Sequence, residues 1–216
     1  MDAALRQLND QLDLATQRLL DAARVIPEPD LRAPSLLPGW TRAHVLAHLA
    51  RGADAMRSLL IGARVQQRRP AYASAQARAD AIETSAAQAV RDLMTDLADS
   101  AMAFRTVVRQ LPDEAWAFPV QILDSEPFPA AELVTRRLVE IELHHCDLGI
   151  GYDPASWPAS FAGAQLPEPM QSQRQERLTY PPQLYQPTPA RSAATPSPAQ
   201  QRAMILRSLS GGPGPM

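Results

Sequence analysis

Apolar residues recur every three to four positions along four segments of the chain, which is the spacing of an amphipathic helix. These segments span about residues 3–25, 42–63, 75–111 and 130–148. Proline and glycine residues separate the segments and favour breaks between helices. No alternation typical of a strand occurs before residue 160. The pattern predicts an all-α protein built as a four-helix bundle.

Residues suited to helix ends flank two of these segments. Thr41 directly precedes the second segment, where its hydroxyl can accept a hydrogen bond from a free backbone N–H group. Gly149 or Gly151 follows the fourth segment and can adopt the left-handed conformation that ends many helices. Pro112 marks the expected end of the long third helix.

The character of the sequence changes after Phe161. Residues 162–216 contain ten of the chain's twenty-one prolines, eight glutamines and only two acidic residues. Such a composition supplies too few large apolar residues to close a core. We therefore predict a bundle at 1–161, followed by a low-complexity, mostly disordered Pro/Gln-rich tail at 162–216, in which only 199–209 looks helical.

Composition excludes several classes of protein. A formal net charge of −2 gives no field that would favour nucleic acid or an anionic membrane as partner. No segment approaches the roughly 18 uninterrupted apolar residues of a membrane span, and the acidic, amphipathic N-terminus does not resemble a signal peptide. The single cysteine, Cys146, forms no intramolecular disulfide and favours a cytoplasmic location. Nothing in the sequence indicates an oligomeric state.

The four histidines of the chain fall in two clusters. His44 and His48 lie in the second predicted helix, whereas His144 and His145 lie in the fourth, where Glu140 precedes them by about one turn. Imidazole and carboxylate groups together are ligands for zinc and related divalent metals. The clusters therefore predict a metal site between two helices.

Helix geometry selects among these candidates. Glu140 and His144 are four residues apart and point the same way, so they can bind one ion. His48 lies at the edge of the apolar stripe of its helix, whereas His44 lies nearer to solvent. His145 points about 100° away from His144 and is expected to pack or to form a hydrogen bond. Three ligands leave a fourth position open, as in catalytic sites.

A site without metal is the competing interpretation. Apolar residues on both sides of Glu140 predict that it is buried, and a buried carboxylate needs a cation or strong donors. Arg136 or Arg137 could provide that positive charge instead of a metal. The chain would then be a purely structural helical bundle.

Three segments resemble the mycothiol-dependent maleylpyruvate isomerase family, a branch of the DinB-like metal-binding bundles. They are LPGWTRAHVLAHLARGADAM at 37–56, ARADAIETSAAQAV at 77–90 and TRRLVEIELHHCDLGIGYDPASWPASF at 135–161. The resemblance covers about the first 161 residues. It implies a DinB-like four-helix bundle that holds one divalent ion, usually zinc. The ligands that it implies are His48, Glu140 and His144, and it implies that Arg78 lies near the substrate.

The resemblance also implies a reaction that needs mycothiol as a thiol cosubstrate. A metal-activated thiolate would add to the cis double bond of maleylpyruvate, and its expulsion after rotation would give fumarylpyruvate. Arg78 would hold a substrate carboxylate, although a solvated helix charge is the alternative interpretation. Cys146 is expected to be inert core rather than a nucleophile, and Trp40 to pack at the start of its helix. A mycothiol S-transferase with another substrate, or a catalytically incompetent metal-binding bundle, are alternative functions.

The tail departs from the family pattern. Full-length members carry a smaller α/β portion that helps to shape the active-site cleft, whereas residues 162–216 do not match it. Because the composition changes abruptly after Phe161, our hypothesis is a frameshift or a divergent 3′ end. The hypothesis is wrong if neither alternative reading frame after codon 161 encodes a family-like segment.

Overall fold

The computed structural model describes residues 1–181, and this part of the chain is mainly helical. Its α-helices are α1 (Ala3–Arg24), α2 (Glu28–Leu31), α3 (Arg42–Arg64), α4 (Ala75–Ala86), α5 (Val90–Gln110), α6 (Glu132–Asp147), α7 (Ala159–Ala162) and α8 (Met170–Thr179). Short 3₁₀ turns occupy Asp113–Ala117 and Pro154–Ser156. The predicted all-α fold is confirmed, and the first, second and fourth predicted helices correspond to α1, α3 and α6.

The predicted helix ends at Thr41 and Gly149 are also confirmed. The Thr41 hydroxyl accepts a hydrogen bond from the His44 N–H group at 3.4 Å and so caps α3. Gly149 follows α6 with a φ of 61°, a conformation that costs a glycine little.

The prediction of one long helix over 75–111 is wrong, because the chain turns between α4 and α5. The apolar spacing continues across this turn, so periodicity alone does not reveal it. The turn frees carbonyl groups at the end of α4, and Arg32 satisfies two of them. Its guanidinium donates to the Ala86 carbonyl and, at 2.6 Å, to the Gln88 carbonyl.

Helix α3 lies at the centre of the bundle. It packs against α4, α5 and α6, while α1 packs against α5 and α6. Its apolar side chains are buried on most of its circumference, from Val45 to Ala63. A small antiparallel ladder between β1 (Pro119–Val120) and β2 (Phe128–Pro129) pairs Val120 with Phe128 in the connection to α6. These strands are too short to produce a visible alternation in the sequence.

Part of the predicted tail is ordered on the bundle. Helix α8 packs against α6, and it buries Met170, Arg174 and Arg177. The expectation that only 199–209 would be helical after residue 162 is therefore wrong, and 199–209 itself lies outside the described residues. The division at residue 161 and the frameshift hypothesis stay predictions. Within residues 1–181, no helix combines the length and the apolar character that a membrane crossing needs.

Candidate metal centre

Three side chains from two helices meet at one point. His48 of α3 places its Nε2 atom 2.7 Å from Oε2 of Glu140 and 3.1 Å from Nε2 of His144. The His144 Nε2 and Glu140 Oε2 atoms are 3.3 Å apart. The structure thus brings together the three residues that the sequence selected, each with one potential ligand atom.

The spacing of these atoms fits a tetrahedral metal ion. With metal–ligand bonds of about 2.0–2.1 Å, the ligand atoms of a tetrahedral zinc site lie about 3.3 Å from one another. The separations of 2.7–3.3 Å come close to this value, so small side-chain movements suffice. The imidazoles of His48 and His144 are nearly buried, whereas the Glu140 side chain is 27% exposed, so this edge of the site is open to solvent.

His144 makes a second hydrogen bond that suits a ligand. Its Nδ1 atom lies 2.8 Å from Oδ2 of Asp147, one turn further along α6. A carboxylate only accepts, so the proton is on Nδ1. Arg177 of α8 in turn donates to both oxygens of Asp147, from Nη2 at 2.9 Å and from Nε at 3.2 Å. Asp147 and Arg177 were not among the predicted site residues, although the His-x-x-Asp spacing was a usable signal.

His48 has a different second partner. Its Nδ1 atom lies 3.0 Å from Nη2 of Arg78, which can only donate, so Nδ1 accepts and the imidazole proton is on Nε2. The Trp40 ring packs against the same imidazole at a centroid distance of 5.5 Å. A metal bound to Nε2 would move the proton to Nδ1, and the Arg78 guanidinium would then have to turn away from His48.

Charge and burial set the proton affinities of the three groups. Burial lowers the pKa of His48 to about 4, and the positive charge of Arg78 acts in the same direction. Burial also lowers the pKa of His144, but its hydrogen bonds to Asp147 and Glu140 outweigh this effect and raise the pKa to about 9. Burial raises the pKa of Glu140, whereas the two histidines outweigh burial and hold it well below its usual value. Glu140 is therefore an anion that can bind a cation.

Arg136 and Arg137, the alternative partners considered for Glu140, contact other groups. Arg136 forms an ion pair with Glu132 at 2.7 Å, and Arg137 donates to the Leu49 carbonyl at 2.8 Å. Among residues 1–181, neither arginine forms an ion pair with Glu140. The interpretation of a structural Arg–Glu140 pair is therefore not supported.

The remaining candidates lie near the centre without joining it. His44 helps to cap α3, and its Nε2 atom is 3.3 Å from Glu83. His145 stacks on the Tyr152 ring at 3.8 Å, as expected for a packing residue. Cys146 is fully buried, and burial raises the pKa of its thiol, so it remains an uncharged core residue. Arg78 is 1% exposed, which excludes the interpretation of a solvated helix charge.

A cleft of about 590 Å³ lies beside this centre, between the α3–α4 connection and the loop that includes β1. Tyr72 lines the cleft, and the guanidinium carbon of Arg78 lies 5.7 Å from the centre of the Tyr72 ring. The Tyr72 ring thus borders both the cleft and the arginine that contacts His48. Apolar residues line the rest of the space together with polar ones, among them Arg68, Arg69 and Asp124.

Comparison with known proteins identifies the family of this chain. The family model of the mycothiol maleylpyruvate isomerase N-terminal domain matches residues 12–149. The chain belongs to this family. The predicted resemblance to the mycothiol-dependent maleylpyruvate isomerase family is thus confirmed, and the matched residues include those that approach one another at the candidate metal centre.

Solved structures of a maleylpyruvate isomerase share the fold. The crystal structure of the mycothiol-dependent maleylpyruvate isomerase is 25% identical with a TM-score of 0.70, and the match covers 73% of this chain and 65% of that chain. A mutant of that isomerase, with alanine in place of one histidine, gives the same values. This chain thus spans slightly less than two thirds of the isomerase. No curated protein matches it.

Proposed function

We propose that this chain is a metal-dependent enzyme of the maleylpyruvate isomerase type that uses mycothiol as its thiol cosubstrate. The observation that carries the proposal is the convergence of His48, Glu140 and His144 within a chain that belongs to this family. These residues would hold zinc or a related divalent ion. Such an ion would supply a Lewis acid that lowers the pKa of a thiol near it.

The proposed reaction is a cis–trans isomerisation in which Arg78 holds the substrate. The cosubstrate thiolate adds to the cis double bond, the resulting single bond rotates, and the thiolate leaves again to give the trans isomer. Arg78 binds a substrate carboxylate through its planar guanidinium. Two observations support this role: the Nη1 atom of Arg78 is buried without a hydrogen-bond partner in residues 1–181, and its Nη2 atom would lose His48 as an acceptor once a metal moves the proton to Nδ1.

The surroundings of the site support a small-molecule substrate. The cleft reaches Tyr72, the neighbour of Arg78. Among residues 1–181, Arg68 and Arg69 outnumber the one acidic residue of its lining, Asp124, and this balance suits an anionic ligand. The lone cysteine supports a cytoplasmic location, where disulfides are rare. We assign no nucleic-acid or membrane partner.

Metal content and turnover test the proposal. Purified protein is expected to contain about one equivalent of zinc or a related ion, and His48→Ala and Glu140→Ala variants are expected to lose it. Wild-type protein with added mycothiol is expected to convert maleylpyruvate to fumarylpyruvate, and Arg78→Ala is expected to turn over more slowly without loss of metal. Wild-type protein without metal after expression with zinc would contradict the proposal.

A second candidate function follows from the length of the match. Because the chain spans 65% of the solved isomerase, the bundle could bind metal without completing the isomerase cleft. Bound metal with no turnover of maleylpyruvate would favour this catalytically incompetent bundle. A mycothiol S-transferase would instead act on other electrophiles, so a small panel of electrophiles and thiols separates the three possibilities.

A further inference from the structure

We propose that helix α8 belongs to the metal centre, because Arg177 fixes Asp147 and Asp147 orients His144 as a ligand. Both Asp147 and Arg177 are positioning residues in this arrangement. The inference rests on the proposed metal binding and goes beyond it, since it adds residues of α8, which lie after the 12–149 match to the family.

The position of Asp147 is unfavourable without a partner. It is the last residue of α6, where the negative end of the helix dipole disfavours a carboxylate. Its side chain is 0% exposed, so water cannot compensate its charge. A carboxylate at this position therefore depends on the two groups that contact it, the His144 imidazole and the Arg177 guanidinium.

The contact between Asp147 and His144 fixes the proton of the ligand. A carboxylate at 2.8 Å from Nδ1 keeps the proton on that nitrogen. The Nε2 lone pair is then available on the side that faces His48 and Glu140 once its own proton has been released. Histidine ligands of metals commonly donate their second N–H group in this way, and loss of such a partner costs about 10–100-fold in metal affinity or activity.

Arg177 restricts the orientation of Asp147. Its two N–H groups bind the two carboxylate oxygens separately, at 2.9 and 3.2 Å, and this forked pairing fixes the carboxylate plane. The oxygen that accepts from His144, Oδ2, is also the oxygen at 2.9 Å from Arg177. Displacement of Arg177 would therefore remove one of the two groups that compensate the Asp147 charge, and the carboxylate plane would no longer be fixed towards His144.

Three side chains on one face of α8 are buried where the helix lies on the bundle. Met170, Arg174 and Arg177 are spaced at i, i+4 and i+7, and all three are buried. Met170 enters the core, while Arg174 donates to the carbonyls of Phe161 and, at 2.8 Å, Ala164. Arg174 thus links α8 to the preceding segment and contacts Gln171 within the helix, which makes it a matched control for Arg177.

The test measures the affinity of the full chain for Zn²⁺ by competition with a chromophoric chelator. Asp147→Asn is expected to weaken zinc binding about 10–100-fold, and Arg177→Gln about 3–10-fold, because the outer partners of a ligand act through its orientation. Arg177→Lys keeps the charge and is expected to recover part of the loss. Arg174→Gln is expected to bind zinc within about twofold of wild type, because Arg174 holds α8 on the preceding segment and does not position Asp147.

Thermal unfolding of the metal-free proteins separates positioning from general stability. Arg174→Gln and Arg177→Gln are both expected to lower the melting temperature, but only Arg177→Gln weakens zinc binding. Wild-type affinity in both Asp147→Asn and Arg177→Gln would overturn this inference alone. An equal loss of affinity in Arg174→Gln would also overturn it, whereas wild-type protein that binds no zinc would overturn the proposed function together with it.

Discussion

Helix α6 carries two Glu–His pairs on different sides, and the two pairs contact different neighbouring side chains. Glu140 and His144 face α3, where a third potential ligand, His48, lies within 3.1 Å of the His144 nitrogen. Glu142 and His145 lie away from this point. Glu142 accepts hydrogen bonds from Arg18 of α1 at 2.6 Å and from the Tyr152 hydroxyl at 2.5 Å.

The comparison shows that residue types alone do not define the metal site. At the Glu142 side, Arg18 supplies a positive charge and Tyr152 a hydrogen bond to the carboxylate, although burial still raises the pKa of Glu142. At the Glu140 side, the groups within residues 1–181 that contact the carboxylate at close range are the His48 and His144 imidazoles, and these can exchange a proton for a metal. The two Glu–His pairs therefore differ because α6 faces different elements on its two sides. Mutations on the Glu140 side should change zinc affinity, whereas mutations on the Glu142 side should change stability.

The largest expected effect comes from the matched pair Glu140→Gln and Glu142→Gln. Glu140→Gln removes a ligand charge and should weaken zinc binding more than about 100-fold, which exceeds the usual loss for an outer partner. Glu142→Gln should keep wild-type zinc affinity and lose stability, because Arg18 would then face a neutral amide. Chelator competition and chemical denaturation measure the two quantities. Equal zinc affinities in the two variants would abolish the distinction between the faces.

How far the sequence predicts this centre depends on the kind of side chain involved. Periodicity predicts α1, α3 and α6, and the i, i+4 spacing of Glu140 and His144 places both on one side of α6. His48 was selected from the apolar stripe that the sequence predicts for its helix, although α3 is buried on most of its circumference. Resemblance to the family supplied the same residues, but their role as ligands stays a prediction.

The contribution of α8 could not be predicted in the same way. Its buried face consists of one methionine and two arginines, so the segment MQSQRQERLT lacks the apolar stripe that indicates a docked helix. Arg177 is buried because of a carboxylate thirty positions away, and no local pattern encodes that contact. The break between α4 and α5 was missed for a similar reason, since Arg32 satisfies its carbonyls from a distant segment.

Substitution of Arg18 should affect stability on the Glu142 face. Arg18→Met removes the charged partner of a carboxylate that is 2% exposed, and the expected loss is about 2–3 kcal/mol. Because the Arg18 side chain itself is 37% exposed, water can replace part of this interaction, and the lower end of the range is favoured. Urea denaturation of the metal-free protein measures the loss.

Arg24, another arginine of α1, provides the control for the stability measurement. Arg24 pairs with Asp21, and both side chains are 59% exposed. Arg24→Met should change stability by less than about 0.5 kcal/mol, as is usual for exposed ion pairs. If both arginine variants lose the same stability, the Glu142 face does not depend on its buried ion pair.

Tyr152→Phe should have a smaller effect on the same face. It removes the hydrogen bond at 2.5 Å to Glu142 while the arginine partner and the aromatic ring remain. We expect a loss of about 1–2 kcal/mol, as for a hydrogen bond to a charged group, with unchanged zinc affinity. Tyr180→Phe, which alters an exposed hydroxyl near Glu176, is the control and should cost less. A loss larger than that of Arg18→Met would show that the hydroxyl is the stronger partner of Glu142.

The smallest effect is expected for His145→Phe, next to a potential ligand. Burial, with a smaller contribution from Arg18, lowers the pKa of His145 to about 4, so its ring is neutral near pH 7. The ring stacks on Tyr152 with an interplanar angle of 4°, and a phenyl ring can keep this packing. Stability should change by less than about 1 kcal/mol, and zinc affinity should stay at the wild-type value. His144→Phe, one position earlier, should bind no zinc, and a comparable loss in His145→Phe would place that histidine in the metal centre.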